Sequence, residues 1–129
     1  MRILLTGASG NLGRHLIPAL LSDGHEINAL VHNQLPDVDV LLVRGDVAAP
    51  GFGIRSSLRH IQAIVHTAGL VSFRTRDRSA LSRINVIGTQ NTVQMAKDLA
   101  VPLFHISTVY VCGDHKGTFS YEHCAVGQT

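Results

Sequence analysis

Tryptophan is absent from this 129-residue sequence, aromatic residues make up 5% of it, and the formal net charge is only +2. Nucleic-acid binders stack bases on aromatic side chains and hold phosphates with a strongly basic surface, so that function class is set aside. Cys112 and Cys124 are the only cysteines. Two are too few for a disulfide framework or a four-thiolate zinc site, and reduced thiols are expected. No apolar run approaches the roughly 18 residues of a membrane span, and the N-terminus lacks the basic, apolar, small-residue order of a signal peptide. A soluble, cytoplasmic protein with no membrane partner is expected. Eight histidines are present, but none pair at ligand spacing such as i, i+4 on a helix, so no metal site is expected.

What remains is ordinary globular chain, 45% hydrophobic and 16% charged, of a size that builds one core and one domain, residues 1–129. Apolar runs at 3–6, 26–31, 40–43, 63–67 and 103–107 read as strands. Between them lie helical patterns at 12–21 and about 80–100, with a short one at 56–60. The alternation predicts β-α-β units and a doubly wound, Rossmann-type parallel sheet of about five strands in the order 3-2-1-4-5, helices on both faces. Runs such as AIVH and LLV do not alternate with polar residues, as a sheet covered on both faces requires. Gly24 is placed to cap the first helix, Pro18 to bend it, and Pro102 to stop the long one.

The first strand runs into TGASGNLG, residues 6–13. Three glycines at the first strand-to-helix junction are the context in which backbone amides hold a diphosphate. Gly7 would allow the tight turn, Gly10 the close approach of phosphate, and Gly13 the packing of helix on strand. Ser9, Asn11 and Leu12 complete the loop, and the helix start adds about half a positive charge. The spacing is not GxGxxG, and a Walker A loop fails because Arg14 and His15 follow Gly13 where Lys and Ser or Thr are needed.

With TGASGNLG, GDV at 45–47, HTAG at 66–69, NVIGTQN at 85–91 and HISTVYVCG at 105–113, the chain resembles the extended short-chain dehydrogenase/reductases, also described as NAD-dependent epimerase/dehydratases. The segment STVYVCGDHKGTF is most similar to the thioester-reductase and fatty-acyl reductase branch, which acts on carrier-bound or CoA-bound acyl groups. The resemblance implies that Asp46 bonds the adenine with Val47 packed near it, and that Ala68 and Gly69 line the ribose and nicotinamide side. It further implies that Asn85 buttresses the site, and that Thr108, with Ser107 beside it, bonds the substrate oxygen during hydride transfer. Plainer readings stand beside these: a turn residue for Asp46, a simple turn at Gly69, a polar helix face at Asn85, a polar strand end at Thr108. His66 and His105 are expected to be satisfied histidines near strand ends, not bases.

NAD-preferring sites place a carboxylate about 20 residues past the glycine loop. Here that region reads ALVHNQL, with His32 and Asn33 and no acid before Asp37. NADP(H) is therefore favoured over NAD, with His32 or Arg44 as partners for a 2′-phosphate.

The family's proton-transferring Tyr and the Lys four residues later have no counterpart. Four residues past Tyr110 and Tyr121 stand Asp114 and Ala125, and the only lysines, Lys97 and Lys116, follow Val93 and Cys112 at that spacing. The expectation is a chain truncated just before that pair, without its C-terminal substrate-binding portion, that binds a nicotinamide dinucleotide without turning over. An incomplete sheet edge would favour self-association or a disordered C-terminus. The competing reading is a non-catalytic module that senses NAD(P). RTRDR at 74–78 is expected to be a solvated loop, with a partner surface as its alternative.

Overall fold

The computed structural model describes residues 1–55, 58, 60–108, 116–118 and 120. Five strands, β1 (Arg2–Thr6), β2 (Glu26–Val31), β3 (Leu41–Arg44), β4 (Ala63–His66) and β5 (Leu103–His105), form one sheet in the order β3-β2-β1-β4-β5. Every pairing is parallel, with Thr6 opposite Leu30 and His66 and Val31 opposite Arg44. This is the expected doubly wound order, with its switch point beside β1.

The apolar runs are continuous because each face of the sheet has its own core. Ile3, Leu5, Ile27, Ala29, Val31, Ala63 and Val65 face α1 (Asn11–Ser22), meeting Ile17, Leu16 and Leu20. Leu4, Leu30, Val43 and Ile64 point to the other face, against Phe52, Ala96, Met95 and Leu99. The alternation is present, but both phases are apolar. Phe52 comes from a 3₁₀ turn at Pro50–Gly53 and is fully buried. The APGFG loop thus carries a core plug.

Differences from the sequence reading have local causes. β3 runs 41–44 and not 40–43; as the outer strand it leaves Leu41 and Leu42 exposed, so burial did not mark its start. β4 and β5 end at His66 and His105; Thr67 still donates its amide to the Thr6 carbonyl at 3.2 Å and, like Ser107, lines a cleft. α1 continues through Pro18 to Ser22, and Asp23, Gly24 and His25 donate amides back to Ala19, Leu21 and Leu20, the capping geometry Gly24 suggested. The long helix is not uniform. A 3₁₀ turn at Thr75–Asp77 leads into α2 (Arg78–Leu81), a π-helical stretch at Ser82–Ile87, and α3 (Gly88–Leu99). RTRDR therefore begins a helix instead of forming a plain loop. The short helix expected at 56–60 falls partly outside the described residues, and Leu58 and His60 are not helical. Much of the stretch from 109 onward also lies outside them. Among the described residues, no helix is long and apolar enough to cross a membrane and no three potential ligands gather as a metal site.

Candidate functional site

Two clefts open at the C-terminal ends of the strands and share one wall, Thr67, Ala68 and Gly69. The first, about 400 Å³, runs from Gly7, Ser9 and Gly10 past the end of β2 to Asp46 and Val47. The second, about 370 Å³, lies between that wall, Asn85 and Thr89 of the long helix, and the segment His105 to Thr108.

The glycine loop is built by exclusion of Cβ atoms. Gly7 has φ +75°, and a Cβ there would stand 2.6 Å from the Ala68 amide nitrogen. A Cβ on Gly13 would stand 2.2 Å from the Gly7 carbonyl oxygen, which also accepts the Gly10 amide at 3.0 Å. The loop is thus pressed against both the helix it opens and the β4 wall. Gly10 caps α1 without any side-chain hydrogen bond, so the first-turn amides keep their donors for an incoming acceptor. Gly7, Ser9 and Gly10 line the cleft. Gly13 is buried behind it, Asn11 turns its Oδ1 to Arg14 at 2.7 Å, and Leu12 is exposed away from the lining. A dinucleotide fits this donor set: open amides with a positive helix end at the middle, and room on both sides.

At the far end of the first cleft, His32, Asn33 and Gln34 follow β2. Arg44 is exposed across the pair from Val31 and is not a lining residue. Asp46 lines the cleft, and its carboxylate already has partners: Oδ1 accepts the Ala48 amide at 2.9 Å and Oδ2 meets Arg83 at 2.6 Å. Asp46 thus holds a turn through Ala48 and lines the cleft at the same time. Gly45 was not singled out from the sequence, yet a Cβ there would stand 2.6 Å from the Phe52 carbonyl oxygen, and that oxygen accepts the Asp46 amide. The GDV segment is held by a plug six residues on in the chain, which local pattern cannot disclose.

The long helix is fastened to this rim by its polar residues. Asn91 donates to the Val47 carbonyl at 2.8 Å, and Gly88 lets the helix come within van der Waals reach of the Val47 side chain. Asn85 accepts the Leu70 amide and donates to the Leu70 carbonyl, both at 2.8 Å. Both ends of its amide are engaged on backbone, which ties the wall to the long helix. Ser107 and Thr108 line the second cleft beyond β5.

Beneath the wall lies His66, fully buried, with Thr6 Oγ1 2.6 Å from Nδ1 and Thr89 Oγ1 3.3 Å from Nε2. His105 stacks on it at 5.2 Å between ring centres. Burial, with a smaller contribution from His105, lowers the His66 pKa to about 4. It is the satisfied histidine expected. The threonines that satisfy it were missed from the sequence, although Thr6 precedes the glycine loop and Thr89 lies inside NVIGTQN.

Comparison with known proteins agrees with this geometry. The sequence model of the NAD dependent epimerase/dehydratase family matches residues 3–128. Sterol demethylase protein B of Methylococcus capsulatus is 34% identical over 98% of this chain, which spans 40% of that protein. A short-chain dehydrogenase/reductase superfamily protein from Agrobacterium tumefaciens, solved with bound NAD, superposes with a TM-score of 0.82 at 20% identity, over 100% of this chain and 40% of its own. A thiolation-reductase di-domain from an archaeal non-ribosomal peptide synthetase superposes at 0.74 with 21% identity, over 86% of this chain and 36% of that one.

Proposed function

The chain belongs to the NAD dependent epimerase/dehydratase family, and on that premise we propose that it is the dinucleotide-binding portion of an oxidoreductase acting on a carbonyl or thioester. The observation that carries the reading is the uncapped start of α1 beneath three glycines, two of which exclude any side chain. Main-chain amides there hold the diphosphate, and the first cleft takes the adenosine with Asp46 and Val47 at the base. The shared wall of Ala68 and Gly69 turns the other half toward the second cleft. When bound, a nicotinamide supplies or accepts the hydride. Thr108, with Ser107 beside it, holds the substrate oxygen in the second cleft. The similarity to a thiolation-reductase di-domain supports a carrier-bound acyl group as substrate.

NADP(H) is the preferred form, because His32, Asn33 and Gln34 place no carboxylate where a 2′-phosphate would sit. His32, which lines that end of the cleft, is the partner for the 2′-phosphate; Arg44, the other candidate, lies outside the lining. The sequence holds no Tyr four residues before a Lys. General acid catalysis contributes about 10²–10⁴-fold, so the chain alone binds with little turnover. Calorimetric titration tests both claims: NADPH is expected to bind several-fold more tightly than NADH. The reverse order would overturn the cofactor preference, and no binding of either by folded protein would overturn the function.

A further inference from the structure

One buried imidazole holds both ends of the wall that divides the two clefts. The Ala68 amide donates to Thr6 Oγ1 at 3.3 Å, and Thr6 Oγ1 lies 2.6 Å from His66 Nδ1. On the other side, Thr89 Oγ1 lies 3.3 Å from His66 Nε2 and donates its proton to the Asn85 carbonyl at 2.7 Å. Asn85 in turn grips Leu70 by amide and carbonyl.

The proton positions follow from donor arithmetic. A threonine hydroxyl has one proton. That of Thr89 is spent on Asn85, so toward His66 its oxygen only accepts, and Nε2 must carry the hydrogen. Nδ1 is then bare and accepts from Thr6, whose own oxygen is left to accept the Ala68 amide. Thr92, 3.4 Å from Nδ1, gives its proton to the Gly88 carbonyl at 2.7 Å and does not compete. A single direction of donation therefore runs from Ala68 through Thr6, His66 and Thr89 to Asn85. It breaks if the ring gains a second proton, because Thr6 would then face a donor and lose its acceptor. The groups facing the ring are hydroxyls from β1 and α3 and the stacked imidazole of His105 from β5.

We propose that His66 is the positioning residue of the wall shared by the two clefts, working as a neutral imidazole protonated on Nε2 and not as an acid or base. Its influence on binding rests on the dinucleotide reading above; its tautomer and its hold on Ala68 do not.

The test uses the full chain. Nitrogen-15 NMR of wild-type protein at pH 7 is expected to show His66 neutral with hydrogen on Nε2, and hydrogen exchange to show a protected Ala68 amide. An Nδ1-protonated or cationic His66 would overturn the proposal without any ligand present. His66→Phe, which keeps a ring but no hydrogen bond, is expected to weaken NADPH binding at least tenfold and expose the Ala68 amide. His66→Asn, which can still accept from Thr6, is expected to restore the protection and most of the affinity. Ile17→Val, in the core on the opposite face, controls for loss of stability and is expected to leave affinity unchanged. Equal affinity in His66→Phe and wild type would sink the proposal, as would equal losses in His66→Phe and His66→Asn. If wild type binds no dinucleotide, the functional reading fails, while the NMR and exchange results still decide the proposal.

Discussion

The two clefts share a wall but are made by different means. The glycine-loop end is backbone architecture: Gly7, Gly10 and Gly13 act through the side chains they lack, Gly10 and Gly13 within the loop itself and Gly7 against Thr67 and Ala68. The wall and second cleft are side-chain architecture. Thr6, His66, Asn85 and Thr89 are joined across β1, β4 and the long helix, at separations of up to 60 residues. A backbone site tolerates no added atom, whereas a polar network tolerates volume change but not the loss of a proton or an acceptor. The two regions should therefore fail under different insults.

The largest expected effect is steric and falls on the first region. Gly13→Ala would put a methyl 2.2 Å from the Gly7 carbonyl oxygen and 2.7 Å from Ala8 Cα. Neither is the flexible end of a side chain, so the loop or α1 must shift. A loss of about 3 kcal/mol or more is expected, at the upper end for overpacking, with dinucleotide binding abolished. Urea denaturation checks it. A midpoint equal to wild type would mean the loop is slack and would remove the contrast.

The second effect is chemical and falls on the wall. His66 has a folded pKa of about 4 against an ordinary 6.5, so the unfolded chain takes up a proton there before the native one does. Stability from this group is complete above pH 6.5, falls as pH drops toward 4, and is level below. Each pKa unit is worth about 1.4 kcal/mol, which puts the loss at roughly 2–4 kcal/mol. Carboxylates titrate in the same range, so the measurement is the difference in urea stability between wild type and His66→Asn across pH 7 to 4. Parallel curves would show that His66 is no more buried in energy than in any loop.

This division also explains what the sequence disclosed. The strand order, both helical layers and the glycine loop were legible, because two-sided burial writes continuous apolar runs and a phosphate turn writes glycines at fixed spacing. The Leu70 backbone as the partner of Asn85 was not legible, because the two lie 15 residues apart with no shared pattern. Phe52 hid inside a loop signal, since burial of a plug leaves no period. The π-helical stretch escaped because six residues cannot shift the apolar stripe of a long helix enough to be noticed. It turns Ile84 to the first cleft and Asn85 to the second.

The smallest expected effect lies where the regions meet, at the Arg83–Asp46 pair. The contact is short, 2.6 Å, but the Arg83 side chain is 61% exposed. An exposed pair gains little over two hydrated charges, and holding a long side chain in one rotamer offsets part of the gain. Asp46 also keeps the Ala48 amide on its other oxygen, so its carboxylate stays in place without Arg83. Arg83→Ala should therefore change stability by no more than about 0.5 kcal/mol, and the difference should shrink further in about 1 M salt, where the screening length is near 3 Å. A salt-resistant loss above about 1.5 kcal/mol would place Arg83 inside the network that holds the rim. The boundary between the backbone-built and side-chain-built regions would then run through Asp46 itself.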